Sequence, residues 1–395
     1  MRESGLLSIG LLWASVAAAP IMGQERDPPE WGAEVVLRVG SPDDPETTLF
    51  RVVDLAVDPA GNIHALEASP PRVRSFTADG EPFGSWGRSG EGPGEFRSPG
   101  AIGVHGDSLL WIADPPRRMI HRFAADGTHL GSTRSLGSAS VTPSQLVHDG
   151  SMVGVEVVPL INAPSSTAVV HLEPDGSVRS KLLDLPRDPR SGVEVRGVLG
   201  PGSVVQTANP FAFTRRTAWD PAGRHMVALT TDADACPEAG GTLPVDVLRI
   251  DFAGGASLEG TELALPTVPM DEERRSQIIE GTLDPWARTA DADPRASFDA
   301  DRAAALALEA FDPPSCTNPI EGLVVASDGG FWVRGASSDP DAALWTEVDP
   351  DGTPVGQIRI SATIALMETH GGRLYGVETD GLGVERLVVV EVHRD

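Results

Sequence analysis

The chain has 395 residues and a formal net charge of −26, from 31 basic and 57 acidic side chains. Its 43 glycines and 34 prolines make up about one residue in five, against about 12% in an average protein and about 25–30% in disordered chains. The composition therefore predicts a globular chain with a sizeable core and many tight turns. The negative charge argues against nucleic acid or anionic lipid as a partner, because both are bound through clustered cations.

The first residues have the pattern of a secretory signal peptide. Arg2 supplies the positive start, an apolar run follows from Leu6 to Ala19, and small residues precede a cleavage position before Gln24. The run is shorter than the ~20 residues that a membrane-spanning helix needs, and no later stretch is long and apolar enough. We expect residues 1–23 to be removed, residues 24–395 to form the mature chain without a membrane span, and the protein to be secreted or periplasmic.

Two segments near the N-terminus repeat each other. Residues 57–80 and 104–127 are equally long, and both end in Phe-x-Ala-Asp-Gly. Asp-Gly favours tight turns, and apolar alternation on both sides makes these hairpin turns. Related turns recur at 173–176, 252–255 and 349–352. A unit with two hairpins has four strands, which is the size of one propeller blade.

The repeat predicts an all-β fold, a six-bladed β-propeller. A strand expected at 33–39 has no hairpin partner nearby, and we expect it to pair with the C-terminal strand 387–392 and to close the ring, so that no sheet edge is exposed there. The six predicted blades lie near residues 52–86, 100–133, 144–184, 203–265, 320–360 and 362–393.

Wide gaps between the turns after Gly176 indicate insertions rather than missing blades. Residues 186–212 have the composition of a long Pro/Gly-rich connection, and residues 231–244 that of a loop inside the fourth blade.

The third insertion, 270–312, is predicted to be helical. Acidic residues from Asp271 suit the start of a first helix, and Gly281 suits its end. A second, Ala/Leu-rich helix is expected from Asp299 to Phe311, before Pro313. A helical excursion on one rim of a ring of blades predicts a lid or a partner surface.

Cys236 and Cys316 are the only cysteines. An even pair in an exported chain favours a disulfide. A redox or metal-binding pair is the alternative, although there is no Cys-x-x-Cys spacing and no adjacent histidine. We predict a structural disulfide.

The segment 87–127 carries a GxGPGxF turn, a proline, an apolar strand, Ala-Asp, an arginine-bearing turn, an apolar pair and a final Asp-Gly. These features fall at Gly90 to Phe96, Pro99, Ile102, Ala113-Asp114, Arg118, Ile120 and Phe123 to Gly127. In this order they resemble an NHL-type repeat. Residues 322–334 and 344–352 resemble the TolB-like extracytoplasmic six-bladed propeller proteins of bacteria, which also have a helical insertion before a Trp-Val strand. The resemblance implies the fold and little of the chemistry, because propellers host many functions.

Enzymes among the six-bladed propellers include lactone hydrolases, strictosidine-synthase-like proteins and amidating lyases, and the resemblance implies metal ligands around a central channel in such relatives. His105, His148 and His370 fall at inner hairpin turns, one per blade, which suits a metal site. The alternative is that they are turn residues like Asp58 and Asp220, because inner turns are spread around a rim and no His-x-x-x-His spacing occurs.

The starts of the inner strands are the better place for a ligand, because they should surround the mouth of the channel. Mixed carboxylate, amide and guanidinium groups there suit a polar ligand or Ca²⁺, and a water-filled polar channel is the alternative. The candidate ligand-binding residues are Asp54, Gln145, Arg215, Arg216, Asn318 and Glu321.

The first hypothesis for function is an exported, non-enzymatic propeller that binds a protein, peptide or glycan through one rim, shaped by the insertion 270–312. The alternative is a metal-dependent hydrolase or lyase that uses the central channel. The sequence assigns no catalytic residues and no metal ligands, and it predicts no cofactor; Ca²⁺ or Zn²⁺ at the channel belongs to the alternative. We expect a monomer.

Overall fold

The structure is a computed structural model. The predicted signal peptide and Gly254 of the fourth-blade turn lie outside the described residues. The described residues are 28–136, 141–159, 162, 164–237, 241–252, 257–292 and 298–394.

The described chain begins with one long strand and a first four-stranded antiparallel sheet. These strands are β1 (Glu30–Val39), β2 (Val52–Val57), β3 (Ile63–Ala68), β4 (Pro71–Phe76) and β5 (Pro82–Trp86). Asp58 shapes the turn between β2 and β3, since its Oδ1 accepts hydrogen bonds from the backbone N–H groups of Ala60 and Asn62. Gly61 takes the left-handed conformation that the turn needs (φ 86°). This is the Asp-x-x-Gly hairpin that the sequence predicts.

Two further four-stranded sheets follow, after a short parallel pair of strands. The pair is β6 (Arg88–Ser89) and β7 (Glu95–Phe96). The second sheet has β8 (Ala101–His105), β9 (Leu109–Asp114), β10 (Met119–Ala124) and β11 (His129–Arg134). The third has β12 (Val141–Leu146), β13 (Met152–Glu156), β14 (Ser166–Leu172) and β15 (Val178–Pro186).

The next part of the chain holds a hairpin, the fourth sheet and two helices. The hairpin is β16 (Gly192–Arg196) and β17 (Val204–Ala208). The fourth sheet has β18 (Arg216–Trp219), β19 (His225–Thr230), β20 (Gly241–Asp251) and β21 (Ser257–Thr267). The helices are α1 (Glu272–Ala292) and α2 (Ala300–Phe311). Residues 203–208, which the sequence assigns to the fourth blade, pair with β16 instead.

The C-terminal seven strands join one large sheet. They are β22 (Ile320–Val325), β23 (Phe331–Gly335), β24 (Ala342–Val348), β25 (Pro354–Ser361), β26 (Ile364–His370), β27 (Arg373–Thr379) and β28 (Glu385–His393). The sheet has eight strands in the order β22-β23-β24-β25-β1-β28-β27-β26. β1 runs antiparallel to β28, with Ala33 opposite Val392 and Val39 opposite Leu387, so the expected pairing of the N- and C-terminal strands is present.

The fold is an all-β, propeller-like arrangement, and its hydrogen bonding differs from the six separate blades that the sequence predicts. It has four four-stranded sheets and one eight-stranded sheet. The difference arises at β1, which also runs parallel to β25 over two residue pairs, Glu30 with Gln357 and Trp31 with Ile358. This short contact joins two four-stranded arrays, which the sequence treats as separate blades, into one sheet.

The hydrophobic core is divided among the interfaces between successive arrays. One cluster joins the first and second sheets around Phe96 and Ile112, and the next joins the second and third around Trp111 and Met152. Others lie between the third and fourth sheets, between the fourth sheet and β22–β25, and inside the eight-stranded sheet. A last cluster packs Phe76 of the first sheet against β27 and β28. The arrays therefore form a closed ring.

The hairpin β16–β17 and the helices α1 and α2 pack together outside the sheets, and we call them the accessory layer. The sequence predicts that α1 ends at Gly281, but the helix continues to Ala292. Ile279, Leu283 and Trp286 lie on one face of α1 and are buried against the hairpin and α2, which outweighs the low helix propensity of one glycine. The expected second helix is present, and the Asp299 carboxylate caps it by accepting a hydrogen bond from Arg302 N. Neither described helix is long and apolar enough to cross a membrane.

A disulfide attaches the accessory layer to the fourth sheet. Cys236, in the loop between β19 and β20, is bonded to Cys316, which follows α2. Cys316 is buried beside Phe213 and Leu243, and its backbone forms a bridge to Pro269, just before α1. The chain therefore leaves and re-enters the ring at one fixed point.

Candidate functional site

The first strand of each four-stranded sheet and the two edge strands of the eight-stranded sheet surround one cavity of about 400 Å³, which we call the axial cavity. Its walls carry residues from β2, β8, β12, β18, β22 and β26. A cavity of this size falls in the range of small-molecule binding sites.

Three polar side chains enter the axial cavity directly after a β-bulge. In β2, β12 and β26 the register against the second strand shifts immediately before Asp54, Gln145 and Glu368. A bulge inserts one unpaired residue and re-aims the side chains next to it. The bulges therefore present these three side chains to the cavity from strands that are otherwise mainly apolar.

Asp54 links two neighbouring first strands. Its Oδ1 accepts a hydrogen bond from Leu55 N and its Oδ2 accepts one from Ile102 N of β8, both at 2.9 Å. Burial raises the pKa of the Asp54 carboxyl to about 7, and the two backbone hydrogen bonds oppose this shift. The carboxyl therefore changes charge near neutral pH.

Glu368 and Asp220 add two more carboxyl groups to the cavity wall. Burial raises the pKa of Glu368 well above its usual range; a hydrogen bond from Thr369 N opposes this, and the charges of Asp54 and Asp220 raise it further. Burial also raises the pKa of Asp220, although its Oδ1 accepts hydrogen bonds from Arg224 N and His225 N. The carboxyl groups are thus close enough to influence one another.

Two tryptophans form the aromatic part of the wall. Trp219 is half-buried at the end of β18. Trp111, on β9, is 2% exposed and lies across Gly103, where a Cβ atom would fall 2.7 Å from the indole nitrogen Nε1. Only glycine at position 103 leaves room for this indole. The Trp111 Nε1–H group has no hydrogen-bond acceptor in the described part of the chain.

The structure brings two of the six predicted site residues, Asp54 and Gln145, to the axial cavity. Gln145 is 5% exposed, and its Nε2 donates a hydrogen bond to Leu146 O. Glu368, Asp220, Trp111 and Trp219 were missed. Asp220 has the sequence signature of a turn residue, and nothing in the local sequence marks the bulge before Glu368.

The other four predicted residues lie on the rim instead. Arg216 is exposed at the start of β18, and Arg215 beside it is half-buried. Glu321 is exposed and pairs with Arg334. Asn318 Nδ2 donates a hydrogen bond to Thr214 O. The cavity wall begins deeper, at Thr217 in β18 and at Leu323 in β22, so the starts of these strands lie outside the cavity.

A metal site in the channel would need several ligands in one place. Within the described ranges, no three His, Cys, Asp or Glu side chains lie close enough together to hold one ion. His105 and His148 of neighbouring sheets do lie near each other: burial lowers the pKa of His105, and the charges of Arg122 and His148 lower it further. Calcium or zinc at the channel therefore stays a prediction.

The sequence matches no protein-family model and no curated protein. Among solved structures, the chain is similar to a member of the DUF4221 family from Bacteroides vulgatus, with 8% identity, a TM-score of 0.50 and coverage of 93% of this chain and 100% of that one. It is also similar to the PQQ-bound aldose sugar dehydrogenase of Streptomyces coelicolor (11% identity, TM-score 0.41, coverage 93% and 100%). A third is the virginiamycin B lyase of Staphylococcus aureus, an inactive variant with quinupristin (9% identity, TM-score 0.37, coverage 91% and 88%). At these identities the likeness concerns the fold alone.

Proposed function

We propose that this protein is an exported six-bladed β-propeller that acts as a binding module and holds a peptide or glycan ligand at its axial cavity. The observation that carries the proposal is the cavity itself, of about 400 Å³, with polar groups aimed into it from bulged strands. Bulges that re-aim side chains are typical of functional sites. The accessory layer, next to the starts of β18 and β22, is the surface where a larger partner would add contacts.

The proposed count of six blades is supported by the weak link between the two halves of the eight-stranded sheet. Its halves, β22–β25 and β26–β28 with β1, are joined by only two residue pairs. Each half places its first strand at the axial cavity and has its own apolar interface with the neighbouring array. Counting each half as one blade gives six blades.

The NHL-type assignment is supported by how the second sheet uses its motif. Phe96, from the GxGPGxF turn, is fully buried between the first and second sheets. The carboxylate of Asp114 accepts hydrogen bonds from the backbone N–H groups of Arg97 and Ser98. The motif residues thus fasten the connection between two sheets, which is a structural role.

Export is supported by the signal-peptide pattern of residues 1–23 and by the disulfide, because disulfides persist outside the reducing cytosol. Cleavage before Gln24 would show as the N-terminal sequence of protein recovered from the periplasm or medium. A chain that keeps Met1 and stays in the cytoplasm would contradict this part of the proposal.

A serine-based hydrolase has less support than a binding module. Ser151 Oγ lies 2.7 Å from His171 Nε2, but Asp149 contacts the serine rather than the histidine, so the histidine is not held as in a nucleophilic triad. Ser151 is 1% exposed and does not line the axial cavity.

The proposed ligand site is tested by filling the axial cavity with a large side chain. Thr217 is exposed and lines the cavity, and Thr217→Phe would fill it; Thr242→Phe makes the same change at an exposed position on β20, away from the cavity. Wild type and both variants are applied to peptide and glycan arrays. We expect Thr217→Phe to weaken binding at least about tenfold and Thr242→Phe to leave it unchanged. Equal binding by all three proteins would contradict a cavity site.

The metal content of the purified protein tests the alternative hypothesis, a metal-dependent hydrolase or lyase. Mass spectrometry of protein purified without chelators would show about one equivalent of calcium or zinc if that alternative holds. The enzyme hypothesis requires two results: metal that survives dialysis, and turnover of a lactone, ester or peptide amide that Thr217→Phe abolishes. Both together would overturn the binding module.

A further inference from the structure

We infer that the axial cavity recognises a positively charged nitrogen group of its ligand, held between Asp54 and Glu368 and against the indole ring of Trp219. The inference rests on the proposed function and specifies the chemistry of its ligand.

The titratable side chains of the cavity wall are all acidic. Its lining residues include three carboxyl groups and no lysine, arginine or histidine. Buried charges in proteins are normally paired. Elsewhere in the ring this holds: the fully buried Glu67 carboxylate contacts Arg72. Asp54 and Glu368 have no cationic side chain beside them in the described part of the chain, and they accept hydrogen bonds only from backbone N–H groups. The cavity therefore lacks a positive charge to balance its carboxylates.

The aromatic residues of the cavity wall independently favour a positively charged ligand. A cation over the face of an indole is attracted by the negative face of the ring, and Trp219 offers a half-buried indole in the cavity. Trp111 lines the same cavity, is 2% exposed, and has an Nε1–H group without an acceptor in the described ranges. Buried indole N–H groups normally find an acceptor. A ligand that carries both a positively charged nitrogen and an oxygen acceptor offers a partner to each tryptophan.

The spacing of the carboxyl groups favours an organic cation over a metal ion. Asp54 is on β2, Glu368 on β26, and Asp220 follows β18, so they approach from three different blades. No three of the described acidic, histidine or cysteine side chains converge on one point. A metal ion needs its ligands within one short coordination shell, whereas an ammonium group on a longer ligand can satisfy separated acceptors one at a time.

Binding of such a group is coupled to proton release. Burial holds the pKa of Asp54 near 7, and the pKa of Glu368 is also raised. A cation beside these carboxyl groups favours their charged form, so protons leave as the ligand enters. The titratable groups that face Glu368 are Asp54, Asp220 and Tyr375. Affinity should therefore rise as the pH increases through about 7, where the Asp54 carboxyl loses its proton.

The experiment uses two matched ligand pairs and calorimetry on the mature chain, residues 24–395. The glycan pair is a glucosamine tetramer and its N-acetylated form; the peptide pair is N-terminally acetylated Gly-Lys-Gly-Gly and the same peptide acetylated at the lysine side chain as well. In each pair acetylation removes the positive charge. We expect the charged member of one pair to bind at least about tenfold more tightly than its acetylated form, and the pair that responds identifies the source of the nitrogen.

Two variants with the same Glu-to-Gln substitution locate the effect. Glu368→Gln keeps an oxygen that can accept the hydrogen bond from Thr369 N, and we expect it to weaken binding of the charged ligand at least about tenfold. Glu262→Gln removes one charge from an exposed position on β21 and should leave binding unchanged. Heats measured in buffers of different ionisation enthalpy should show proton release for wild type and less for Glu368→Gln.

Different results would overturn the cation site and the proposed function. Equal affinity for the charged and acetylated members, or array ligands that depend on Thr217 and carry no positive nitrogen, would overturn the cation site and leave the binding module intact. Absence of any binding to either pair, with no array ligand sensitive to Thr217→Phe, would overturn both. If Glu368→Gln does not fold by circular dichroism, the loss is measured instead with Asp54→Asn against the same control.

Discussion

The ring of sheets and the accessory layer are stabilised in different ways. Six apolar clusters hold the ring, so every array is supported from both sides. The accessory layer has one main cluster, centred on Phe311 and Trp286, with the disulfide at its base. A hydrogen bond from Asn209 Nδ2 to Phe311 O (2.8 Å) adds a link between the end of the hairpin and α2.

This difference predicts two levels of cooperativity. A ring in which each interface touches two arrays should unfold as a unit, because opening one interface exposes the edges of its neighbours. A layer attached through one cluster can open alone, as parts of proteins with fewer buried contacts do. The axial cavity belongs to the ring, so its geometry should be insensitive to opening of the accessory layer.

The largest effect is expected from removing one buried aromatic ring in each region. Phe76 and Phe311 are both fully buried, the first at the interface where the ring closes and the second in the accessory layer. Replacing either by alanine should cost about 3–5 kcal/mol. We expect Phe76→Ala to lower the free energy of unfolding of the whole ring, measured by urea denaturation, and Phe311→Ala to leave most of it unchanged.

Hydrogen exchange by mass spectrometry separates the two regions in this experiment. In Phe311→Ala the amides of α1, α2 and the hairpin should exchange faster while those of β3, β9 and β23 keep their protection. Equal loss of protection in both regions would show that the ring and the accessory layer form one cooperative unit, and the comparison would then be wrong.

The disulfide should give the next largest effect. Cys236 and Cys316 are 80 positions apart, and the crosslink closes a loop that contains most of the accessory layer. Replacing both by serine should cost about 2–4 kcal/mol, since a crosslink of this span restricts the unfolded chain. We expect the loss to appear first in exchange at α1 and α2. If ring amides lose protection as early as these helices, the disulfide supports the ring rather than the layer.

The sequence predicts the ring better than the layer because the ring is a repeat. Asp-Gly turns have a local signature, and Gly80 and Gly127 do lie between paired strands with φ near 85°. Pairing of β1 with the last strand follows from the need to cover a sheet edge. The contact between β1 and β25 and the hairpin β16–β17 depend on packing between distant segments, which no local pattern records. The same packing carries α1 past Gly281.

The sequence predicts the candidate site from polar residues expected at the starts of inner strands. Asp54 does lie near the start of β2, whereas Gln145 lies near the end of β12, and the structure places both on the cavity wall. Glu368 lies near the end of β26 and reaches the cavity because of a bulge, and bulges have no reliable sequence signature. Trp111 reaches the cavity from a second strand, because it lies across Gly103. That contact depends on strand register.

The smallest effect is expected in the pH dependence of the free energy of unfolding. It tests the polar centre of the ring rather than its apolar interfaces. Burial raises the pKa of Glu368 in the folded state, so the folded protein binds a proton more tightly there than the unfolded chain does. The stabilisation that this proton provides is complete below the unfolded pKa, near 4.5, and is lost as pH rises through the folded pKa. Asp54 acts in the same direction between about pH 4 and pH 7.

Glu368→Gln cannot lose this proton and should therefore keep its stability at high pH. We expect it to equal wild type in stability at pH 4 and to be the more stable of the two at pH 8. Urea denaturation at the two pH values measures the difference, and Glu262→Gln on β21 is the control for one lost charge. If Glu368→Gln is less stable than wild type at pH 8, the Glu368 carboxylate is already paired with a cation before any ligand binds. The unpaired charge on which the ligand proposal depends would then not exist.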